Sequence, residues 1–510
     1  MKDTFYITTP IYYVNDVPHI GHAYTTVACD VIARYHRLAG EKVFFLTGTD
    51  EHGQKVAQAA QQQGKTPQAW ADEMVPRWKE VWERLDISND DFIRTTEERH
   101  VKPVQTIVQR LYERGHVYLG SYEGPYCVYC EEFKVEAELV DGNLCPIHGR
   151  SVERISEENY FFSLSKFQDD LLAFYEQNPR FIVPEDRRNE VLSFVKGGLQ
   201  DLSISRTSFS WGIPIPWDPK HVMYVWVDAL QNYITAAGFG PDPERFERIW
   251  PADVHMVGKD ILRFHAVIWP AMLMAAGIDP PRTVLAHGWL LVGGEKMSKT
   301  KLTGIHPFEL LDAFGVDAYR YYFLREVQFG QDGSFSWESM VARYNADLAN
   351  GLGNLASRVL AMAGQYFDGI VPEPYRGQPP GSLATPARSL AQSFQTHMAD
   401  LDLTAAVGDL DEFVRQANRR LVEVAPWKLA KDESRRADLA HEIWESLEAL
   451  RLIALFASPV MPGTAEKLWE QLGIPEPLAS QRLPEAASWG LLAPGIKTTK
   501  GESLFPRIEG

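Results

Sequence analysis

The chain is poor in cysteine, in long apolar runs and in positive charge. Only 4 of its 510 residues are cysteines, and three of those lie between positions 127 and 145, which is unlike a secreted disulfide framework. No run of about twenty apolar residues occurs, and the start Met1-Lys2-Asp3-Thr4 lacks a signal peptide's apolar core, so neither membrane insertion nor secretion is expected. The net charge of −17 argues against indiscriminate coating of nucleic acid but leaves room for a local basic face. A globular protein of a reducing cytoplasm is expected.

The N-terminal part alternates strand-like and helix-like segments, which is typical of a parallel α/β sheet. Aromatic and β-branched residues predict strands at 5–9 and 43–47, with a helix between them over 23–38. Further strands are predicted at 223–229 (running into a helix), 254–260 and 283–287. After Tyr344 helical periodicity dominates to about Leu472. The pattern therefore predicts one sheet split by an insertion and followed by an all-α region, whose basic helices are more often a solvated face than an RNA-binding one.

Two short stretches carry candidate chemistry. His19-Ile20-Gly21-His22 opens the first helix, where both imidazoles and the positive end of the helix dipole converge on one spot. Lys296-Met297-Ser298-Lys299-Thr300 follows a glycine-rich turn and places two ammonium groups on a loop. Taken singly, the first stretch is more often surface or capping histidine and the second a solvated loop. A negatively charged transition state is the chemistry that both would suit together.

Asp50 lies where the second predicted strand ends, in Asp50-Glu51-His52-Gly53. Ligands of open parallel sheets bind at the carboxyl ends of strands, so Asp50 is well placed to meet one. Loop solvation or a metal cluster made by the three polar side chains remains an alternative at this point.

Cysteine and histidine spacing predicts a zinc site. Cys127-Val128-Tyr129-Cys130 and Cys145-Pro146-Ile147-His148 share the same two-residue gap, and Asp141-Gly142-Asn143 marks a turn between them. Three thiolates and an imidazole satisfy tetrahedral zinc, and four protein ligands leave no position for water. One structural Zn²⁺, without a catalytic role, is expected.

The histidine and lysine stretches, found together in this order, resemble the HIGH and KMSKS signatures of class I aminoacyl-tRNA synthetases. Other segments narrow the resemblance, over nearly the whole chain, to the methionyl-tRNA synthetase family. These segments are Thr9–Asn15, Gly48–Gly53, Asp201–Arg206, Trp211–Trp217 and Gly258–Ile261. The resemblance implies an enzyme that activates L-methionine with ATP and Mg²⁺, releases pyrophosphate, and transfers methionine to elongator and initiator tRNA(Met).

The same resemblance implies a domain plan and site residues. The segments are 1–117, first half of a Rossmann-type catalytic domain; 118–221, a connective insertion with the zinc knuckle; 222–295, the second catalytic half; 296–344, the lysine loop and stem-contact region; and 345–510, an all-α anticodon-binding bundle with a C-terminal tail. The catalytic residues implied are His19, His22, Lys296 and Lys299. The ATP-binding residues implied are Gly21, Gly258, Asp260, Lys299 and Thr300. The methionine-binding residues implied are Ile11, Tyr13, Asp50, Trp226, Leu230, Tyr233, Ile261 and His265, with Asp50 on the ammonium and Tyr13 or His265 offering a donor to the sulfur. The anticodon-reading residues implied are Asn354, Arg358 and Trp427.

Two departures from the family pattern bear on the lysine loop and on assembly. The signature ends in Thr300 instead of the commoner Ser, a hydroxyl-for-hydroxyl change that is expected to preserve function, and residues 301–307 differ from the family's usual continuation. Many relatives carry a C-terminal dimerising domain, and this chain ends before one, so a monomer is expected. The alternatives are a synthetase for another amino acid, a ligase acting on a small thiol, and a noncatalytic zinc-containing tRNA-binding protein.

Overall fold

The computed structural model of the chain describes residues 2–129, 132–134, 136–147, 149–292, 295–296, 305–375 and 383–508. Backbone contacts divide the chain into two compact units. The first comprises Met1–Cys29, Val43–Glu83 and Ser88–His287, and the second comprises Asp30–Lys42, Arg84–Ile87 and Gly288–Gly510. In the described part of the chain, every helix is too short or too polar to cross a lipid bilayer.

Strands β1 to β14 belong to the first unit, except that Lys42, the first residue of β3, is counted with the second. They are β1 (Thr4–Thr8), β2 (Tyr12–Tyr13), β3 (Lys42–Asp50), β4 (Asp91–Arg94), β5 (Val117–Cys127), β6 (Glu132–Phe133), β7 (Glu153–Phe162), β8 (Ile182–Val183), β9 (Leu202–Ser203), β10 (Ser205–Arg206), β11 (Pro214–Ile215), β12 (Asp218–Met223), β13 (Val254–Gly258) and β14 (Val284–His287). The main sheet has the order β2-β3-β1-β13-β14-β8, with β4 paired to β3. Its recorded pairs are parallel, and Gly258 lies opposite His287 where β13 and β14 end. The carboxyl ends of the strands therefore form one common edge, where a ligand is expected.

Helices α1 to α10 accompany these strands. They are α1 (Ile20–Leu38), α2 (Gln54–Gln62), α3 (Pro67–Arg84), α4 (Glu98–Glu113), α5 (Gln168–Gln177), α6 (Glu185–Lys196), α7 (Val225–Ala229), α8 (Asn232–Ala236), α9 (Pro243–Ile249) and α10 (Trp269–Ala276). A π-helical segment, Phe264–Ile268, leads into α10. The predicted parallel α/β architecture is confirmed, including the strand–helix–strand order of β1, α1 and β3.

One predicted strand is wrong. Residues 223–229 were expected to form a buried strand, but β12 ends at Met223 and Val225–Ala229 forms α7. The run Val225-Trp226-Val227 is aromatic and β-branched, which favours a strand locally. Val225, Val227, Asp228 and Ala229 are all buried, so the segment has no exposed polar face whose spacing would reveal a helix. Tertiary packing here overrides the local preference.

The insertion contains a long antiparallel pair, in which β5 and β7 run together from Val117 opposite Phe162 to Tyr126 opposite Glu153. The turn predicted at 141–143 is confirmed, because Val140 and Leu144 bridge across it. Gly142 has a φ of 79° there, a left-handed conformation that glycine adopts without strain.

The second unit is mainly helical, as predicted. Its strands are β15 (Leu290–Val292), β16 (Glu295–Lys296) and β17 (Gly333–Phe335). Its helices are α11 (Pro307–Phe314), α12 (Val316–Glu326), α13 (Trp337–Arg343), α14 (Asn354–Phe367), α15 (Ala384–Ala399), α16 (Leu403–Val424), α17 (Pro426–Leu429), α18 (Arg436–Ala457) and α19 (Pro462–Leu472), with a π-helical segment at Tyr344–Gly353.

A fully buried arginine ties this unit together. The Arg320 guanidinium donates to Asp30 Oδ2 at 2.6 Å, to the Val460 carbonyl at 2.8 Å and to the Pro459 carbonyl at 3.0 Å. Arg320 and Asp30 are both 0% exposed. A planar guanidinium with five donors can satisfy several acceptors at once, so one side chain joins α1, α12 and the end of α18.

Candidate active site

The two histidines of the first motif cap α1. The Gly21 N–H donates to His19 Nδ1 at 3.1 Å, and the His19 N–H donates to His22 Nδ1 at 3.2 Å. This is a capping box in which imidazoles replace the usual hydroxyl and carboxylate. Because each Nδ1 accepts, the proton of each neutral ring resides on Nε2. One edge of each ring thus closes the helix, and the opposite edge carries the N–H.

The histidine rings are held in place by neighbours that sequence reasoning missed. His19 and His22 stack with their ring centroids 3.6 Å apart. Tyr12 packs edge-on against His22 at 5.1 Å, and Trp78 lies 5.0 Å from it. Trp78 is 0% exposed. Its contact with His22 depends on where α3 packs, and no local motif in α3 predicts it.

A cavity of about 270 Å³, including its mouth, opens at the carboxyl edge of the sheet. Seven of the eight predicted methionine-binding residues line it, and Pro10, Ala229 and Asn232 line it in addition. Those seven are Ile11, Tyr13, Asp50, Trp226, Leu230, Tyr233 and His265. The walls are largely aromatic and aliphatic, and Asp50 supplies a carboxylate that is only 3% exposed. A small amine with an apolar side chain fits this combination.

Ile261 and His265 behave differently from the prediction. Ile261 is not among the residues lining the cavity; its carbonyl instead accepts the Nδ1–H of His265 at 3.0 Å. His265 Nε2 then accepts the Tyr233 hydroxyl proton at 2.7 Å. Burial lowers the pKa of His265 from 6.5 to about 4, so the ring is neutral near pH 7. Both ring nitrogens are engaged, and His265 has no N–H left to offer a sulfur atom.

The pocket wall contains an aromatic stack. The Trp226 and Phe264 rings lie parallel, with centroids 4.0 Å apart and an interplanar angle of 8°. Phe264 begins the π-helical segment that carries His265, and such segments are frequent at functional sites. Neither the π-helical turn nor the stack has a sequence signal.

Gly258 and Asp260, predicted to bind ATP, lie where β13 ends. A Cβ at Gly258 would come within 2.7 Å of Asp260 Oδ1, so any larger residue there would require the Asp260 carboxylate to move. His287, which the sequence reasoning missed, ends the neighbouring strand β14 and lies 2.8 Å from Thr25 Oγ1 of α1. The edge that carries these residues is continuous with the one that bears the histidine pair.

The Asp50-Glu51-His52 stretch does not form a metal cluster. Asp50 faces the cavity, whereas Glu51 is fully buried and accepts the Arg94 Nε–H at 2.7 Å. His52 Nδ1 donates to Asp228 Oδ2 at 2.6 Å. These three consecutive side chains therefore point to three different places: the cavity, Arg94 and Asp228.

The remaining predicted residues lie partly outside the described residues. Lys296 is in β16, paired antiparallel with β15, while Lys299 and Thr300 fall outside the described ranges. Cys127 and Cys145 are buried in one small cluster with Val152. Cys130 and His148 are also outside the described residues, so the absence of a metal-type cluster holds only for the part of the chain that is described.

The predicted anticodon residues come together in the second unit. The Arg358 guanidinium of α14 lies over the Trp427 ring, 5.3 Å from its centroid. Trp427 follows Pro426 in the first turn of α17, as predicted, and Ala425 before it has a φ of 49°. Asn354 opens α14 directly after the π-helical segment and is exposed. Trp427 is half-buried, so part of its indole remains accessible.

Comparisons with known proteins agree with this geometry. Residues 5–154 and 134–360 match the family model described as tRNA synthetases class I (M), and residues 376–510 match the anticodon binding domain of methionyl tRNA ligase. The methionine–tRNA ligase of Streptomyces coelicolor is 56% identical over 99% of this chain and 97% of its own, and that of Caldanaerobacter subterraneus subsp. tengcongensis is 52% identical over 100% and 80%. A Mycobacterium tuberculosis methionyl-tRNA synthetase in complex with methionyl-adenylate superposes with a TM-score of 0.94 at 46% identity, covering 99% of this chain and 100% of that one.

The fold is that of a class I aminoacyl-tRNA synthetase, with a parallel sheet, a histidine-capped helix at the carboxyl edge of that sheet and a helical C-terminal region. Within that class, the chain belongs to the methionine–tRNA ligase family, whose members couple methionine activation to the charging of tRNA.

Proposed function

We propose that the cavity at the sheet edge binds L-methionine and that the chain joins it to AMP and then to elongator and initiator tRNA(Met). The observation that carries the assignment is the cavity itself, in which an aromatic wall closes around one buried carboxylate, Asp50. An unbranched thioether suits such a wall, since sulfur–aromatic contacts are favourable by up to about 1.5 kcal/mol. Asp50 pairs with the methionine ammonium and thereby orients the carboxylate outward, toward ATP. The bound methionyl-adenylate of the Mycobacterium tuberculosis relative supports this reading.

In the first step a methionine carboxylate oxygen attacks the α-phosphorus of ATP. A new oxygen–phosphorus bond forms, the bond to the bridging oxygen of the β-phosphate breaks, and pyrophosphate leaves with its electron pair. His19 and His22 donate from Nε2 to the α-phosphate, where negative charge increases. Positioning and fixed donors suffice for such a transfer, and no covalent enzyme intermediate is required.

Other residues bind the rest of ATP. Gly21 and Gly258 allow close approach of the nucleotide to the backbone, and Asp260 contacts the ribose and adenosine. Lys296, Lys299 and the Thr300 hydroxyl hold the departing pyrophosphate. Mg²⁺ bound with ATP supplies further neutralisation of the phosphates when present.

The insertion binds one structural zinc ion through Cys127, Cys130, Cys145 and His148. Two of these residues, Cys127 and Cys145, share one small buried cluster, and thiolate sulfur is a ligand that zinc prefers. Zinc would cross-link a segment with little apolar core of its own.

The CAU anticodon is read by Asn354, Arg358 and Trp427. Arg358 and Trp427 already lie together, and an indole paired with a guanidinium offers a stacking platform for an unpaired base. Asn354 adds an exposed amide for hydrogen bonds to base edges.

The chain is proposed to act as a monomer in the cytoplasm. Sedimentation equilibrium tests the oligomeric state, and cell fractionation tests the compartment.

Methionine-dependent ATP–pyrophosphate exchange, measured across a panel of amino acids and small thiols without tRNA, tests the assignment. Exchange with methionine alone supports it, and Lys299→Ala should then lower the rate about a hundredfold. Stronger exchange with another amino acid or with homocysteine would favour the corresponding alternative ligase. No exchange with any compound would favour a noncatalytic tRNA-binding protein.

A further inference from the structure

A buried polar cluster lies behind the wall of the methionine pocket. Asp228 accepts the His52 Nδ1–H at 2.6 Å and the His100 Nε2–H at 2.7 Å. His100 Nδ1 lies a further 2.9 Å from Thr235 Oγ1. Asp228 is 1% exposed and His100 is 0% exposed, so solvent does not screen these contacts. None of the four side chains lines the cavity, and the mechanism above does not use them.

The cluster holds the two short helices that form one side of the pocket. Helices α7 and α8 contribute pocket-lining residues, among them Trp226 and Tyr233. Asp228 follows Trp226 by two positions on α7, and Thr235 follows Tyr233 by two positions on α8. Residues two apart on a helix face different directions, so Asp228 and Thr235 lie on faces other than those that line the pocket. One imidazole, His100 of α4, contacts both Asp228 and Thr235. Helices of five residues have little stability of their own, so such outside contacts decide where they sit.

The second imidazole connects the same carboxylate to the strand end that carries Asp50. His52 lies two residues after Asp50, just beyond the end of β3. Its ring also packs edge-on against Trp211 at 5.2 Å, and the Trp211 Nε1–H donates to the Glu51 carbonyl at 2.6 Å. Trp211 thus holds both the Glu51 backbone and the His52 ring, which lie directly after Asp50. Asp228 thus links the group that would hold the methionine ammonium to the wall that would hold its side chain.

The charges support this linkage. Burial alone would raise the pKa of Asp228, but His52 and His100 outweigh burial and hold it below its usual range. The carboxyl group is therefore ionised near pH 7 and accepts from both imidazoles. Charge-assisted hydrogen bonds of this kind are shorter and stronger than neutral ones.

We propose that Asp228, clamped by His52 and His100, is a positioning residue for methionine: it sets the distance between Asp50 and the Trp226–Tyr233 wall without touching substrate. The inference rests on the proposed methionine pocket. Its consequence is selective, because the hydrogen bonds within this cluster join α4, α7, α8 and the end of β3, and none of them involves the segment around Gly258 where ATP would bind.

Steady-state pyrophosphate exchange on the full chain tests the proposal. Asp228→Asn keeps the side-chain volume but removes the charge. It should raise KM for methionine about tenfold, because small displacements of a binding group can cost one to two orders of magnitude in rate or affinity. KM for ATP should stay within about twofold of the parent's. Asp253→Asn is the matched control, because Asp253 also joins two basic side chains, Lys2 and Arg282, but at the opposite end of β13. That variant should lose comparable thermal stability with both KM values unchanged.

Replacing His100 separates positioning from simple packing. His100→Gln can place an N–H near the original Nε2 and keep the bond to Asp228, so its KM for methionine should stay near that of the parent. His100→Leu fills similar space without a donor and should reproduce the defect of Asp228→Asn. Equal KM values for methionine in the two His100 variants would overturn the proposal.

Trp226→Ala distinguishes a failure of this inference from a failure of the pocket assignment. If Trp226→Ala raises KM for methionine and Asp228→Asn does not, the pocket stands and the positioning role is refuted. A parallel rise of both KM values in Asp228→Asn, in proportion to lost stability, would also refute it. If Trp226→Ala leaves KM for methionine unchanged, the pocket assignment itself is wrong.

Discussion

The imidazole capping box predicts that helix capping and catalysis at His22 can be separated by substitution. His22 Nδ1 accepts the His19 N–H at 3.2 Å, and the Nε2 edge carries the N–H proposed to meet the α-phosphate. In His22→Asn the side-chain oxygen takes nearly the place of Nδ1, so the cap is retained and the donor at Nε2 is lost. His22→Ala removes both.

Magnitudes follow from the two roles. Loss of a helix cap costs about 0.5–2 kcal/mol of stability. Loss of one fixed donor to a developing negative charge costs about 10²–10³-fold in rate. We therefore expect both variants to lose about 10²–10³-fold in exchange rate, whereas only His22→Ala loses about 1 kcal/mol of stability.

Exchange at saturating substrates and urea unfolding of the same preparations measure the two effects. Asp242→Ala serves as the control, because Asp242 caps α9 in the same unit by accepting the Arg245 N–H at 3.0 Å. It should lose stability and keep its exchange rate. Near-parental exchange by His22→Asn would refute the donor role, and equal destabilisation of the Asn and Ala variants would refute the capping role.

Four further outcomes are expected. Arg320→Met should lower the free energy of unfolding by about 3 kcal/mol, because it leaves buried carbonyl groups without a donor and removes a hydrogen-bonding partner of Asp30. Urea denaturation measures this loss, and an unchanged midpoint would contradict the prediction. Folding lowers the pKa of His265 from 6.5 to about 4, so between these two pH values the unfolded chain binds one more proton than the folded chain. About 3 kcal/mol of stability that is present above pH 6.5 is therefore lost as the pH falls to 4. His265→Gln should flatten this part of the curve of stability against pH. Trp427→Ala should lower tRNA aminoacylation about 10- to 100-fold while exchange stays intact, whereas loss of both activities together would indicate a core role. Metal analysis should find one zinc per chain and much less in Cys130→Ser; a fully folded, active protein after chelation would end the zinc proposal.

Local sequence was sufficient where one residue type answers a local physical demand. The helix beside the His19–His22 stretch, the second strand and the turn at Gly142 each follow from short-range patterns and are present in the structure, although α1 begins at Ile20 instead of 23 and β3 extends to Asp50 instead of 47. Pro426 likewise identified the first turn of α17. Such features depend on backbone geometry over a few residues, which a sequence displays directly.

Local sequence was misleading where burial removes the pattern. The segment 223–229 contains an aromatic and β-branched run that favours a strand, yet Val225–Ala229 is a helix because it is enclosed by the core. The π-helical turn at Phe264–Ile268 has no periodic signal either. The mispredicted strand and this unpredicted turn both lie on the pocket wall, where tertiary contacts and not propensity determine the backbone.

By itself, the sequence determined the parallel α/β sheet, the helical C-terminal region and the order of the two signature motifs, and the family resemblance that those motifs carry named seven of the residues that line the cavity. Only the tertiary structure decided how those side chains are used. The Tyr233 hydroxyl and the Ile261 carbonyl set the tautomer of His265 and remove it as a donor. Asp228 meets His52 and His100 across 176 and 128 residues of chain. Contacts of such separation depend on how strands and helices pack, and because no local pattern encodes that packing, they become visible only once the chain is folded.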